Sequence, residues 1–178
     1  MNPKWKNHIS IGHPGFSGYA GTWAVQMNDM YGWDFFEKLN ALNPHVGQSI
    51  SDTVTMLNSG ERWIGVSNIA AGLESADKGN PIGAVYPKSG TVIMTTPTGL
   101  LKNAPHPNAA KLFLNWLLTP QAQQIIADAR YEHAVKEGVK NKPGTIALDD
   151  IKVVRPSPEE IKKGIPEVKD KFRDTFGI

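Results

Sequence analysis

Apolar and polar positions change period several times along this chain. His8-Ile9-Ser10-Ile11-Gly12 alternates, which predicts a strand, and His13-Pro14-Gly15 ends it in a turn. Residues 18–30 read as a helix after a Ser17 cap. A second helix is predicted from Asp34 as N-cap with Glu37 three residues on, burying Phe35, Leu39 and Leu42 and ending at Asn43-Pro44. Short helices are predicted over 51–57 and 70–76, and strands over 62–66, 82–86 and 91–95. Strands alternating with helices predict a mainly parallel sheet with helices on its faces. Further on, residues 108–118 are apolar nearly all round, which predicts a helix covered on most sides. Thr119-Pro120 restarts a helix whose stripe is Ala122, Ile125, Ile126 and Ala129. Ser157-Pro158-Glu159-Glu160 is a capping box, and the helix it opens places Ile165, Val168, Phe172 and Phe176 on one face.

Composition narrows the function classes. The 178 residues, 40% hydrophobic and 20% charged, suffice for a packed core. A net charge of +2 with no Lys/Arg run gives no footprint for nucleic acid. No apolar run approaches the ~20 residues of a membrane span. With no cysteine, disulfides, thiolate metal sites and thiol nucleophiles are excluded. His8, His13, His45, His106 and His133 have no metal-ligand spacing. The segment after residue 129 is rich in charge and reads as a solvated helical tail.

The chemistry-bearing stretches are strand-to-helix junctions. In Gly12-His13-Pro14-Gly15-Phe16-Ser17-Gly18-Tyr19, the amides of the first helical turn lack intrahelical partners and can receive an anion at the positive end of the helix dipole. An ordinary capped junction has the same sequence. The pattern is neither a P-loop nor the dinucleotide fingerprint. Gln48-Ser49-Ile50-Ser51-Asp52-Thr53 and Val66-Ser67-Asn68 are two further polar junctions. Ligands of open α/β sheets sit beyond the carboxyl ends of the strands, so the three junctions can converge. The candidate ligand-binding residues are therefore His13, Ser17, Gly18, Tyr19, Ser51, Asp52, Thr53, Ser67 and Asn68. A serine hydrolase using Ser17 is the enzymatic alternative, but Gly15-Phe16-Ser17-Gly18-Tyr19 is not a nucleophile elbow of the Gly-x-Ser-x-Gly form. No catalytic residue is assigned, and the expectation is a binding protein without cofactor or metal ligand.

Several stretches together resemble the substrate-binding proteins of bacterial ABC importers, in the group of ferric-iron and small-anion binders. They are Asn2-Pro3-Lys4-Trp5-Lys6, His13 to Gly18, Leu57 to Gly65, Gly79-Asn80-Pro81-Ile82, and Lys102 to Phe113 continuing through Leu118-Thr119-Pro120-Gln121-Ala122-Gln123. The resemblance implies a periplasmic-binding-protein type II lobe over 1–100 and a helical segment over 101–178 that returns to a first lobe outside this chain. The start, Met1-Asn2-Pro3-Lys4-Trp5-Lys6, has no hydrophobic leader, and such a leader would precede that lobe. The resemblance also implies a periplasmic location, a permease as partner, hinge closure on the ligand, and self-association through the face the first lobe would cover. In iron-binding relatives an anion sits on a Ser-Gly turn, matched here by Ser17, Gly18 and Tyr19. Their adjacent tyrosines are replaced in Asn68-Ile69-Ala70-Ala71, so a small anionic or polar solute is implied instead of ferric iron. An effector-binding domain of a transcriptional regulator shares the fold and is the remaining alternative.

Overall fold

Ile9 and Ile11 point to one face of a strand and Ser10 to the other, yet all three are buried. The strand is therefore covered on both sides, as parallel sheets are. The computed structural model, which describes residues 1–178, shows why. Along the chain lie β1 (Ile9–Gly12), α1 (Gly18–Tyr31), α2 (Asp34–Asn40), β2 (His45–Gly47), α3 (Ile50–Asn58), β3 (Ile64–Gly65), α4 (Ile69–Asp77), β4 (Thr91–Val92), α5 (Pro107–Leu117), α6 (Pro120–Ala129), β5 (Val153–Val154) and α7 (Pro158–Phe176). The first sheet has order β2-β1-β3 and the second is the pair β4-β5; every pairing is parallel. The mainly parallel α/β class predicted from the sequence is the observed one.

The chain forms two compact units, 1–94 with 152–178, and 95–151. In the first, β1 is the central strand. Its Ser10 hydroxyl meets the Thr53 hydroxyl of α3 at 3.3 Å, so the polar residue of the alternating pattern is buried with a partner. The other face packs Ile9 and Ile11 with Ala24, Val25 and Met27 of α1, Phe36 and Leu39 of α2, and Val168 and Phe172 of α7. Gly164 lets α7 approach α1: a Cβ there would lie 2.8 Å from a Val25 methyl.

Residues 152–178 thus group with 1–94, unlike the expected boundary that placed all of 101–178 together. The reason is the apolar face read from the sequence. Phe172 is fully buried, and Ile165 and Phe176 pack on the same core.

Four local expectations are corrected. Asp34 is the first residue of α2 and not its cap, because Trp33 already has helical dihedrals and makes no side-chain cap. Phe36, not Phe35, is the fully buried ring of that helix. Residues 82–86 form no strand; Pro81, Gly83 and Pro87 interrupt that stretch. In the second unit, Ile125 of α6 is exposed while Ala122, Gln123 and Ala127 are buried. Gln123 is turned inward because its amide donates to the Leu117 carbonyl at 2.8 Å and accepts from the Val135 amide at 3.0 Å. The caps Ser17, Ser49, Asn68, Thr119 and Ser157 each accept from a first-turn amide.

The helix expected to be covered is bare. No residue of α5 is buried, and Leu112 is 73% and Phe113 55% exposed.

The two helices make a stability test. Phe172→Ala removes a ring from a closed core and should cost about 3–5 kcal/mol, whereas Leu112→Ala should stay within about 0.5 kcal/mol. Urea unfolding followed by near-UV circular dichroism reads both.

Candidate functional site

β1, β2 and β3 run parallel, so their carboxyl ends lie on one edge of the sheet. His13 follows β1, Gln48 follows β2 and Ser67-Asn68 follows β3. The His13 amide donates to the Gly47 carbonyl at 2.8 Å, which ties the first two ends together. Gly47 is required there. A Cβ on it would meet the Asp52 Cβ at 2.7 Å, so only glycine lets the first turn of α3 fold back on the strand end.

Two open depressions flank this tie. One, of about 430 Å³, is lined by His13, Phe16, Val46, Gly47, Gln48, Lys169, Asp170, Arg173 and Ile178. The other, of about 350 Å³, is lined by His45, Val46, Gly47, Gln48, Asp52, Thr55 and Met56. Gln48 borders both. It is exposed and follows β2 directly, the one signal by which the sequence could have singled it out.

The predicted residues separate into three groups. His13 and Asp52 line these depressions. Ser17, Gly18 and Tyr19 lie at the start of α1, four to six residues beyond His13. The Ser17 hydroxyl accepts from the Ala20 amide at 3.3 Å, and Gly18 has no heavy atom within 4 Å of where a Cβ would stand. Gly18 is the first helical residue, so its N–H has no acceptor within the helix.

Thr53, Ser67 and Asn68 serve the framework, and Asp52 does so as well as lining a depression. Thr53 is buried against Ser10. The Ser67 hydroxyl donates to the Ile50 backbone carbonyl at 3.0 Å, and the Asn68 side-chain Oδ1 accepts from the Ala71 amide at 2.8 Å. Ser51 is exposed and its carbonyl accepts from the Thr55 hydroxyl. Asp52 closes the α3 capping box; the Ser49 amide donating to it at 2.9 Å holds its carboxyl below the usual carboxylate range.

His13 is set differently. Its Nδ1 accepts from the Gly15 amide at 2.8 Å. Its ring lies 4.8 Å from that of Phe16 and, edge to face, 5.6 Å from that of Phe172. Burial, and then the Lys169 ammonium, push its pKa below the ordinary imidazole value. Lys169 has no carboxylate within ion-pair distance, whereas Arg173 is held by Asp170 at 3.3 Å and Asp174 at 3.4 Å. The Ser17 hydroxyl accepts from the Ala20 amide, and His13 Nδ1 accepts from the Gly15 amide.

A parallel sheet whose carboxyl edge carries three helix-opening junctions is the architecture of a periplasmic-binding-protein type II lobe. Residues 1–132 match the family described as bacterial extracellular solute-binding protein, and the chain belongs to that family. It is 28% identical over 128 residues to an uncharacterized protein of Haemophilus influenzae, covering 70% of this chain and 37% of that protein. The structure resembles iron-bound HitA from Pseudomonas aeruginosa with a TM-score of 0.78, at 17% identity over 98% of this chain and 58% of HitA. It resembles AfuA from Actinobacillus pleuropneumoniae, solved with fructose-6-phosphate, with a TM-score of 0.81, at 22% identity over 99% of this chain and 58% of AfuA. A Bordetella ferric binding protein matches at 0.63, with 23% identity over 98% of this chain and 60% of that protein. At these identities the likeness shows the fold. The chain spans less than two thirds of the length of each of these proteins.

A depressed histidine pKa contributes stability above the ordinary imidazole pKa, where both states are neutral. That contribution is lost as pH falls toward the folded value, because the unfolded chain takes up the proton first. Proton NMR titration should place the His13 midpoint below that of a model peptide. Lys169→Gln should raise it without fully restoring it, since burial remains; an unchanged midpoint would remove Lys169 as a cause.

Proposed function

We propose that this chain is the ligand-binding lobe of an ABC importer's solute receptor, and that it captures a small anionic or polar solute at the carboxyl edge of β2-β1-β3. The observation that supports this is the parallel order of β2-β1-β3, which puts the His13 turn and Gln48 at one edge of the sheet and beside one depression, with α1 opening six residues after β1. The Gly18 amide, the first of α1, is the anion-receiving group, and the helix dipole assists it. Family membership supports solute capture. AfuA with its sugar phosphate supports an organic anion as cargo. Asn68-Ile69-Ala70-Ala71 opens α4 with no phenolate, which favours the organic anion over ferric iron.

The receptor works by binding and release, with no bond made or broken in the solute. Its location is periplasmic, where a permease receives the solute. No helix is long and apolar enough to cross a membrane. The exposed apolar face of α5, with Leu112 and Phe113, is a surface suited to covering by a further lobe or by a second copy of the chain.

The test is a thermal-shift series with inorganic phosphate, fructose-6-phosphate, citrate and ferric citrate. A ligand at 100 times its Kd adds about 2.7 kcal/mol, which moves the midpoint by several degrees in a domain of this size. Gly18→Pro is the informative variant. Proline is favoured at the first helical position and the extended Ser17 backbone accepts it, so the helix stays while the N–H is lost. The expected result is a shift with an oxyanion that Gly18→Pro abolishes. A shift with none of the four, or one that survives in Gly18→Pro, refutes the site.

A further inference from the structure

We propose that His13 is the neutral hydrogen-bond donor that recognises the oxyanion headgroup of the solute, its tautomer fixed by the turn it sits in. The proposal rests on the solute-binding reading above and names the group that sets specificity within it.

The Gly15 N–H donates to His13 Nδ1 at 2.8 Å. A nitrogen that accepts cannot carry the proton, so the neutral ring carries it on Nε2. The lock is close-fitting: a Cβ on Gly15 would lie 2.7 Å from His13 Cε1 and 2.8 Å from Nδ1. Phe16 and Phe172 hold the ring from the sides. Nε2 has no partner in the chain, yet it is absent from the buried orphan atoms, so it reaches solvent. The ring lines the 430 Å³ depression together with Gln48 and Lys169.

The donors around that depression suit an oxyanion. Lys169, Asp170 and Arg173 face His13 from α7. Asp170 and Arg173 neutralise each other, with Asp174 also on the arginine. Lys169 is in none of the ion pairs. The imidazole N–H, the Gln48 amide and the Lys169 ammonium present donors to the depression, among ionised side chains (Lys169, Arg173, Asp170 and Asp174) whose charges sum to zero. Protonating His13 at Nδ1 would set two donors face to face and break the turn that leads into Ser17 and Gly18.

The pair of substitutions His13→Asn and His13→Gln separates the two nitrogens. The Asn carboxamide oxygen can replace Nδ1 as acceptor for the Gly15 N–H but supplies no donor at the Nε2 position. The Gln amide reaches that position. In thermal shift with inorganic phosphate, fructose-6-phosphate and fructose, wild type should respond to both phosphates and not to fructose. His13→Gln should keep the response. His13→Asn should keep its ligand-free midpoint within about 2 °C and bind phosphate at least tenfold more weakly, about 1.4 kcal/mol. Long-range proton–nitrogen NMR at neutral pH should show the Nε2–H tautomer, with Nε2 perturbed by phosphate.

A wild type silent to both phosphates sinks the oxyanion reading of the site and this proposal with it. A responsive wild type matched by an equally responsive His13→Asn overturns only the role of His13, as does an Nδ1–H tautomer. An equal response to fructose overturns the headgroup claim. Should His13→Asn fail to fold, the tautomer spectrum and the phosphate response of Lys169→Gln decide; the proposal requires the latter to fall.

Discussion

Burial of β1 on both faces is the constraint on which the rest depends. A strand so placed must satisfy Ser10 internally, and Thr53 of α3 does so. That bond fixes α3 beneath the sheet. Fixing α3 brings its first turn against Gly47, where any side chain would collide with Asp52. The carboxyl edge then takes its shape from a core hydrogen bond several residues away. The polar groups at the edge that look most like ligands in sequence are the ones this framework consumes. Asp52, Ser67 and Asn68 all spend their side chains on caps and ties.

What remains available is a small set. The Gly18 N–H, the Gln48 amide and the outward nitrogen of His13 are spared because none is needed to end a strand or start a helix. Availability, more than polarity, distinguishes the groups a ligand can use. A hydroxyl at a helix start is usually spoken for by the amide three residues on, as Ser17 is by Ala20.

The parts of the fold legible in sequence are those decided locally. Ser157 with Glu160, Thr119 before Pro120, and Ser17 before Gly18 are caps whose partners lie within a turn. The face of α7 was readable because its apolar residues recur at helical spacing. Illegible were the features set by distant chain. Ser10 and Thr53 are 43 positions apart, and nothing in either neighbourhood predicts their meeting. Residues 82–86 carry strand-like residues without a partner strand to pair with. Lys169 belongs to the surroundings of His13 only because α7 packs across α1, and a pattern read along the chain does not bring those two positions together. Gln48 is the first residue after β2, and the hydroxyls of Ser49 and Ser51 beside it carry the stronger local signal.

The discontinuity of the first unit has a consequence for how the chain comes into being. Residues 1–94 hold three of the four helices that enclose β1, but the fourth, α7, and the strand that pairs with β4 are made only after residue 151. Synthesis from the amino terminus therefore leaves the apolar face of α1 waiting while 57 intervening residues, 95–151, are added. Closure of the core is a late, non-local event, and loop-closure entropy makes such events slow. A nascent chain of this kind spends the interval with a sticky surface open, and a holdase that covers α1 during that interval would do for it temporarily what Phe172 does permanently.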